Sequence, residues 1–393
     1  MIPHDTARLG PLPEVLRSAS RGVQSVLTPA GDRMWLVRDH ALARFVLSDR
    51  RFSRAEAVAP GAPRFLDAQP VPQSVMSMDG AEHARLRRIT SRAFAERRIE
   101  ALAPLIEELV DGQLAAMTAV GPPLDFAAGP ATRLPLAVMC GLLGVPARET
   151  DRFKDSVGVL FDIESDPADG ARRRLELVRY MTRLFERKRS DRGDDLLSLL
   201  ISEQESGGMT RQEMVTMGLT LLMAGFESTI GQICLSVLCL LTDPGLARVV
   251  IDEPDSVPDV VEELLRLDSA SVVTFPRVAT VQVEVGDVTV RPGEAVVVSM
   301  LDANRDAAAF PDPERPVLGR GDAAHLAFGH GTHRCLGAPL ARLQLRVVLT
   351  RLFAAFPTLR LADAPDAVVF KDGLATRGLV RLLVTWEAGR GDR

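Results

Sequence analysis

A long apolar run near the middle of the chain restricts the possible folds more than any other feature. The run covers residues 217–241, and the helix predicted around it begins at Thr210 and ends near Thr242, a length of about 50 Å at 1.5 Å per residue. Such a run can span a bilayer. Glu227 near its middle argues against that, because a charge at mid-depth costs roughly 2.5–3.5 kcal/mol in lipid. We therefore expect a helix buried through the centre of a soluble protein.

The composition is that of a soluble globular chain. The 393 residues are 46% apolar, and they contain no linker, repeat or low-complexity tract, so we expect one domain over residues 1–393. The net charge of −5 argues against general nucleic-acid binding. Residues 1–10 have neither the basic nor the apolar segment of a signal peptide or anchor. The cysteines form no disulfide framework, which fits a reducing cytoplasm; they are Cys140, Cys234, Cys239 and Cys335.

The sequence FGHGTHRCLG at residues 328–337 places a cysteine in a glycine-punctuated loop. Its glycines, Gly329, Gly331 and Gly337, stand where a backbone needs positive φ or close approach to a flat partner. Residues 338–352 read as a helix, whose N-terminal N–H groups and dipole would stabilise a thiolate. Cys335 is therefore a good ligand for a soft or borderline metal.

Two other interpretations of this loop stay open. A single cysteine in a helical protein is most often a small buried hydrophobe. His330, His333 and Cys335 also supply zinc-type ligands, but no second Cys/His pair lies near in sequence to complete a tetrahedral site.

A predicted helix after Asp79 carries His83 and Arg87 four residues apart, so both side chains share one face. Two cationic donors on one face suit a carboxylate or a phosphate. Asp79, with Glu82 three residues on, predicts a capping box at the helix N-terminus. The alternative is a solvated basic face.

The predicted central helix contains the sequence AGFEST at residues 224–229. Gly225 disfavours a helix by about 1 kcal/mol, and Ser228 and Thr229 compete for backbone hydrogen bonds, so this stretch can open locally and admit water or a small ligand. An acid, Glu227, stands next to these hydroxyls and offers a route for protons. A polar pair used for helix packing is the alternative.

These motifs together resemble the bacterial soluble cytochrome P-450 monooxygenases. The cysteine loop matches every fixed position of the family's haem-ligand signature, F-G-x-G-x-H-x-C-x-G, and residues 224–228 resemble its oxygen-activation motif, (A/G)-G-x-(D/E)-T, with Ser228 at the usual Thr. The resemblance implies a mainly α fold with small β-sheets and a long central helix over the haem. It also implies haem b, with Cys335 as the ligand of the iron, and O2 as co-substrate.

Site residues follow from the same resemblance. Proton delivery falls to Glu227 and Ser228, with Thr229 as a second candidate for the alcohol. The expected haem-binding residues are His83, Arg87, Ala224, Arg277, Phe328, Gly329, His333, Cys335 and Gly337, of which His83, Arg87, Arg277 and His333 would bind the propionates. Glu263 and Arg266, three residues apart, resemble a structural ion pair of the family.

The expected substrate is a mid-sized hydrophobic or aromatic natural product of bacterial secondary metabolism. A proline-rich loop at residues 59–72 resembles the loop that covers the substrate, although an ordinary surface loop is the alternative. We predict a strand at residues 272–277 and a small antiparallel sheet at residues 281–298. The candidate substrate contacts are Phe65, Leu66, Val75, Thr220, Ala224, Val272, Val273, Phe275 and Leu374.

Electrons must come from other proteins, because the chain contains no flavin or nicotinamide module. The resemblance implies NAD(P)H as their source, delivered by a ferredoxin reductase and a ferredoxin to a monomeric enzyme. A basic patch could bind the ferredoxin; its arginines are Arg85, Arg88, Arg92, Arg334, Arg342 and Arg346. Four rivals remain: oxidative coupling or ring closure without oxygen insertion, a peroxide-driven enzyme, a non-catalytic haem sensor or carrier, and a zinc protein.

Overall fold

The computed structural model describes residues 22–65, 73–145, 167–320, 324–371 and 376–387. Helices make up 53% of these described residues, well above the roughly 30–35% of an average globular protein, so the predicted mainly α class is confirmed. The helices are α1 (His40–Ser48), α2 (Gly80–Ser91), α3 (Glu96–Glu100), α4 (Ala103–Val120), α5 (Thr132–Leu143), α6 (Pro167–Lys188), α7 (Leu196–Glu205), α8 (Arg211–Thr242), α9 (Pro244–Asp252), α10 (Val257–Leu267), α11 (Met300–Ala303) and α12 (Ala338–Ala355).

The strands form three small sheets. They are β1 (Val23–Leu27), β2 (Arg33–Val37), β3 (Phe52–Ser53), β4 (Leu124–Asp125), β5 (Arg277–Ala279), β6 (Val283–Val285), β7 (Val288–Val290), β8 (Ala295–Val298), β9 (Arg360–Leu361) and β10 (Leu383–Thr385). The largest sheet has the order β1-β2-β8-β5-β3, and the others are β4-β10-β9 and β6-β7. Within the largest sheet, β2 and β8 are parallel and the other pairs are antiparallel.

The central helix α8 begins where the sequence predicted. Thr210 and Glu213 form a capping box, with the Thr210 Oγ1 accepting from the Glu213 N–H at 3.1 Å and the Glu213 carboxylate accepting from the Thr210 N–H at 2.7 Å. Among the described helices, α8 alone is long and apolar enough to cross a membrane, and 67% of its most apolar window is buried. It packs against α5, α6, α7, α10 and α12, as the core helix of a soluble protein does.

The expected local opening of this helix at residues 224–229 was wrong. The α8 helix is continuous there. The Ser228 hydroxyl donates to the Ala224 carbonyl and the Thr229 hydroxyl to the Gly225 carbonyl, each at 2.9 Å. The hydroxyls therefore add to the helical hydrogen bonds instead of displacing them.

A glycine further along α8 ties the helix to the C-terminal segment. A Cβ at Gly231 would overlap the Arg377 carbonyl oxygen, so only glycine allows the two backbones to approach this closely. The Arg377 N–H in turn donates to the Ala270 carbonyl at 2.6 Å. The C-terminal segment thus lies directly on the central helix.

Two strand predictions were wrong in part. Residues 272–276 are irregular apart from an isolated bridge between Val273 and Ser299, and β5 begins only at Arg277. Pro276 lacks an N–H for a ladder, which accounts for the break. Residues 281–298 do not form one antiparallel sheet: β6 and β7 pair as a separate hairpin, while β8 joins the five-stranded sheet.

The predicted pair of Glu263 and Arg266 is confirmed and is buried. The Arg266 Nε and Nη2 atoms donate to the two Glu263 carboxylate oxygens, each at 2.8 Å. Arg266 also donates to the carbonyls of Asn304, Pro313 and Arg315. The Arg266 guanidinium thereby connects α10 to the irregular segment that precedes the cysteine loop.

Candidate active site

The cysteine loop is a tight turn that leads directly into α12. The Cys335 N–H donates to the Phe328 carbonyl at 2.8 Å, which closes the loop. Gly329 and Gly331 adopt φ of 68° and 73°, and a Cβ at Gly331 would overlap the Leu47 carbonyl oxygen, so these two glycines meet the expected requirement. Gly337 has no positive φ, since its φ is −77°, and its added Cβ would lie 3.8 Å from the Cys335 Sγ, an ordinary contact; its close approach to a flat partner stays a prediction.

Cys335 is the exposed cysteine, whereas Cys140, Cys234 and Cys239 are buried. The walls of the site desolvate the thiol and raise its pKa, while the N–H of Gly337 and the charge of Arg87 lower the pKa. Burial outweighs these two influences, so the Cys335 pKa lies above its ordinary value and the free site favours the thiol; a bound metal would favour the thiolate. The described residues contain no group of three or more His, Cys, Asp or Glu side chains that could hold a metal ion by themselves, which removes the support for a zinc site.

Two histidines stack beside the cysteine loop. The ring centroids of His83, on α2, and His333 lie 4.2 Å apart. Burial, together with the charges of His333 and Arg87, lowers the pKa of His83 to about 4. The His83 Nε2 is buried and has no hydrogen-bond partner, so a buried donor or acceptor is left unpaired at this point.

Asp79 occupies the N-cap position of α2, but the predicted capping box was wrong, because its side chain makes no capping hydrogen bond. The carboxylate accepts instead from the Ser53 hydroxyl and from the N–H groups of Arg54 and Ala55, at 2.7–2.8 Å. It also lies 3.3 Å from the His333 Nε2. Burial raises the Asp79 pKa, but these hydrogen bonds outweigh burial and hold the pKa well below its usual range.

Three arginines complete the group, and one of them, Arg54, was missed from the sequence. Arg54 is 3% exposed, and its guanidinium donates to the carbonyls of Met76 and Pro276. Burial lowers the pKa of Arg54 to about 9 and that of Arg277 to about 10. The Arg54 Nη2 and the Arg277 Nε are buried without partners. No residue pattern around position 54 distinguishes it from the chain's other arginines.

We call Arg54, His83, Arg87, Arg277 and His333 the cationic cluster. Asp79 is the carboxylate that acts most directly on the cationic cluster. The positive charges of the three arginines therefore exceed the negative charge that balances them. Several buried nitrogens of the cationic cluster also lack partners. A ligand that brings two carboxylates beside the Cys335 thiolate would supply both the missing negative charge and the missing hydrogen-bond partners. The residues present therefore fit a haem, with its two propionates and an iron that takes a sulfur ligand.

The acid and alcohols of the proton-delivery motif lie on α8, which packs on α12 directly after the cysteine loop. Glu227 is mostly buried, and this burial raises its pKa, whereas the Lys371 ammonium, 3.7 Å away, lowers it. Thr229 is buried and Ser228 is half-buried. Lys371 was missed from the sequence because 144 residues separate it from Glu227 along the chain.

The candidate substrate contacts occupy different environments. Phe65, Val75 and Val272 are buried in hydrophobic clusters, and Val273 is partly buried beside one of them. The Thr220 and Ser74 hydroxyls are hydrogen bonded at 3.1 Å.

Ala224 is exposed, and so is Phe275, at 46%; the ring of Phe275 stacks 5.2 Å from the Arg54 guanidinium carbon. Leu66 and Leu374 lie outside the described residues. Met223, a large apolar residue on α8 that is 39% exposed, was missed from the sequence. A large apolar side chain that is open on a core helix is the usual sign of a cavity wall.

Most arginines of the expected basic patch have intramolecular partners. The ion pairs are Arg85 with Glu82 and Glu213, Arg92 with Glu203, Arg342 with Glu262, and Arg346 with Glu100. Within the described part of the chain, Arg88 and Arg334 form no side-chain ion pair. The basic patch stays a prediction, and its charge that is not balanced by an ion pair in the described residues is concentrated at Arg88 and Arg334.

Comparisons with known proteins agree with this site. The family model described as Cytochrome P450 matches residues 171–368. The chain is 43% identical over 364 residues to nocardicin C N-oxygenase of Nocardia uniformis subsp. tsuyamanensis, with 92% of each chain covered. It is 39% identical to mycinamicin IV hydroxylase/epoxidase of Micromonospora griseorubida, over 93% of this chain and 92% of that one. The crystal structure of cytochrome P450 MoxA from Nonomuraea recticatena superposes with a TM-score of 0.87 at 38% identity, covering 93% of each chain.

A helical fold with a glycine-framed cysteine at the start of a helix, beside a cradle for two carboxylates, defines a cysteine-thiolate haem enzyme. The chain belongs to the cytochrome P450 family. The predicted family, fold and enzyme class are thereby confirmed: the protein is a monooxygenase-type oxidoreductase of bacterial secondary metabolism that uses haem iron and O2. Enzymes of this type act on a small molecule and take electrons from redox partners.

Proposed function

We propose that the protein is a cytoplasmic, monomeric haem b enzyme that oxidises a mid-sized hydrophobic or aromatic natural product, with residues 1–393 forming one domain. Its electrons come from NAD(P)H through a ferredoxin reductase and a ferredoxin. The observation that carries the proposal is the exposed Cys335 at the start of α12, beside the unpaired buried donors of the cationic cluster.

The residues on the cysteine side would hold the haem. Cys335 supplies the sulfur ligand, and His83, Arg87, Arg277 and His333 donate to the propionates. The remaining predicted haem contacts shape the site: Phe328 and Gly329 frame the cysteine loop, Gly337 leaves space next to the Cys335 Sγ, and Ala224 offers a small, exposed side chain on α8. Arg54 fixes the backbone on two sides of the cluster through Met76 and Pro276.

When bound, a thiolate-ligated haem supplies the oxidising chemistry, because the thiolate donates electron density that favours O–O cleavage. The protein's part is to orient the substrate and to deliver protons. Glu227 holds a proton more readily than an exposed glutamate, because burial raises its pKa. Ser228 and Thr229 each donate to a helix carbonyl, so each must rotate or accept a hydrogen bond to pass a proton on. Which alcohol acts is decided by comparing Ser228→Ala with Thr229→Ala.

Apolar side chains support a hydrophobic substrate. Met223 and Phe275 are large apolar side chains that are exposed, and burying such side chains against a ligand contributes about 25 cal/mol per Å². Two relatives are named for oxidation of nocardicin C and mycinamicin IV, which supports a secondary metabolite as the substrate class. The remaining candidate contacts, Phe65, Val75, Thr220, Val272 and Val273, would define the walls behind these two residues.

The test is a set of spectra followed by product analysis. The reduced protein with bound carbon monoxide should show the red-shifted Soret band of a thiolate ligand, and Cys335→Ser should lose it. A panel of natural products is then screened for substrate-induced spectral shifts, and positive compounds are turned over with ferredoxin, its reductase and NAD(P)H. A product that gains one oxygen supports the proposal. A product that only loses two hydrogens indicates oxidative coupling, and the absence of turnover across the panel indicates a haem sensor.

A further inference from the structure

Glu227 has a charged partner that comes from a distant part of the chain. The Lys371 Nζ lies 3.7 Å from the Glu227 Oε1. The Glu227 side chain is 14% exposed and the Lys371 side chain is 43% exposed. The pair therefore connects a mostly buried acid of the central helix with solvent.

The backbone around Lys371 holds the lysine in this position. The Lys371 N–H donates to the Gly378 carbonyl at 2.9 Å, and Phe370 forms a β-bridge with Leu379. A Cβ added at Gly378 would lie 3.4 Å from the Lys371 Cδ, so the lysine stem packs along the glycine. Next to Gly378, the Arg377 carbonyl rests on Gly231 of α8. Lysine and acid are thus fixed on two segments that are themselves in contact.

The electrostatic surroundings of Glu227 are simple. Within the described part of the chain, Lys371 is the charged group that acts on Glu227, and its charge opposes the effect of burial. Cys234, two turns further along α8, has its pKa raised to about 12 by burial, with a lowering influence from Lys371 and a raising influence from Asp125. The hydroxyls of Ser228 and Thr229 donate to carbonyls of their own helix, so they do not take the place of Lys371 as donors to Glu227.

Lysine is a rare choice in this protein. Of the 47 Lys and Arg residues, only Lys154, Lys188 and Lys371 are lysines. Lys188 pairs with Asp195 at 2.8 Å in another part of the fold. Arginine is therefore the conservative replacement for Lys371. The Lys188–Asp195 pair serves as the matched control.

We propose that Lys371 is the positioning residue of Glu227, holding the carboxylate oriented toward the solvent side of α8 so that it is reloaded from solvent with the proton it passes to Ser228 or Thr229. In each proton transfer the carboxylate takes one proton from solvent and releases one to the hydroxyl side, so that its own charge is restored; the two protons that form water in a monooxygenase turnover require two such transfers. This inference rests on the proposed function of Glu227 in proton delivery. It assigns the partner that keeps Glu227 available for repeated proton uptake.

The first test follows the Glu227 carboxyl itself. Infrared titration of the haem-loaded protein detects the C=O stretch of the protonated acid, and the band is assigned by its loss in Glu227→Gln. In Lys371→Met we expect the band to appear at a higher pH than in the wild type, because the lowering effect of the ammonium is gone. Lys371→Arg and Lys188→Met should both titrate as the wild type does. Gly378→Val keeps the lysine but fills the space of its stem, and it should shift the band in the same direction as Lys371→Met.

The second test measures product formed per NAD(P)H consumed. Removing a general acid outright costs roughly 10²–10⁴-fold, so loss of its positioning partner should lower this ratio by about 3- to 10-fold in Lys371→Met and raise the solvent isotope effect, with recovery in Lys371→Arg.

An unshifted carboxyl band in Lys371→Met, or an equal loss of coupling in Lys371→Arg, would overturn the inference. These outcomes differ from failure of the proposed function, in which the wild type itself lacks the thiolate-type spectrum or forms no oxidised product.

Discussion

The His83 ring lies 4.2 Å from the His333 ring at an interplanar angle of 32°, and the His333 Nε2 lies 3.3 Å from the Asp79 carboxylate. This stack joins α2 to the cysteine loop. One carboxylate, Asp79, contacts this stack, while several nitrogens of the cationic cluster are buried without partners, so the site is rich in donors and poor in acceptors. Haem retention should therefore depend on the individual members of the cationic cluster.

Replacing Arg277 should weaken haem binding. Arg277 is buried and its Nε has no partner, and a hydrogen bond to a charged group contributes about 1.5–3 kcal/mol. We expect Arg277→Ala to release haem roughly 10- to 100-fold faster, since about 1.4 kcal/mol corresponds to a factor of ten. Transfer of haem to an excess of apomyoglobin measures the rate. Arg88→Ala, an exposed arginine on α2, is the control, and equal rates for the two variants would contradict the assignment of Arg277.

The patch near the cysteine loop should respond unequally to substitution. Arg88 carries no ion pair in the described structure, whereas Arg92, one turn along α2, pairs with Glu203. Arg88→Ala should therefore slow reduction by a ferredoxin and lessen the dependence of the rate on ionic strength, while Arg92→Ala changes both much less. Stopped-flow reduction over a salt series distinguishes them. Identical salt slopes for all three proteins would exclude Arg88 from the docking surface.

Breaking the Glu263–Arg266 pair should destabilise the fold strongly. Arg266 is 1% exposed, and removing one partner of a buried pair costs about 3–5 kcal/mol. In Arg266→Ala the Glu263 carboxylate keeps Arg320 as its remaining cation, but the carbonyls of Asn304, Pro313 and Arg315 lose their donor. We expect Arg266→Ala to reduce the free energy of unfolding by that amount, measured by urea denaturation. Arg172→Ala removes an exposed pair with Glu176 at 3.8 Å and should change stability by less than about 0.5 kcal/mol. A similar small effect for both variants would mean that the Glu263 charge is compensated by other groups.

The cap of α8 gives a milder prediction. Thr210→Ala removes the side chain that accepts from the Glu213 N–H, so the helix N-terminus loses a partner at a cost of about 1 kcal/mol. Thr118→Ala is the control, because the Thr118 hydroxyl is exposed and donates only within its own helix. Equal urea midpoints for Thr210→Ala and the wild type would show that water replaces the cap.

Acid should weaken the contact between α10 and α12 through Glu262. This carboxylate accepts from Arg342 at 2.5 and 2.8 Å and lies 3.1 Å from the His325 Nε2. Burial raises the Glu262 pKa, but these partners outweigh burial and lower it to about 2. Because the folded pKa is below the ordinary value, the stabilisation is present above about pH 4.5 and is lost as the pH falls toward 2.

The size of this acid effect is limited by solvent, since the Glu262 side chain is 40% exposed, and we expect about 1 kcal/mol at most. Glu262→Gln should flatten the stability profile between pH 5 and pH 2 by that amount. Glu100→Gln, which removes an exposed pair with Arg346, should leave the profile parallel to that of the wild type. A wild-type profile in Glu262→Gln would contradict the prediction.

The parts of the site that the sequence predicted are those encoded within a few residues. The start of α8 after Thr210, the positive φ at Gly329 and Gly331, and the common face of His83 and Arg87 all depend on local spacing. The resemblance to the family supplied the fold and the role of the cysteine, and the comparisons confirmed both.

What sequence reasoning missed depends on distant partners. Asp79 has the local pattern of a helix cap, but its carboxylate accepts hydrogen bonds from Ser53, Arg54 and Ala55 instead of capping the helix. Lys371 reaches Glu227 only because the C-terminal segment is folded onto α8. The parallel pairing of β8 with β2 likewise joins strands about 260 residues apart, a separation at which β-branched alternation carries no information on the partner.

The bonds of Asp79 also have a consequence for synthesis of the protein. Its carboxylate binds residues 53–55, which leave the ribosome early, and His333, which is 254 positions later. Domains generally fold as units during or after translation, so the N-terminal half of the haem cradle must wait for almost the entire chain. Cofactor loading is thereby restricted to finished polypeptides, and a product truncated before residue 333 would lack both the sulfur ligand and the closing histidine.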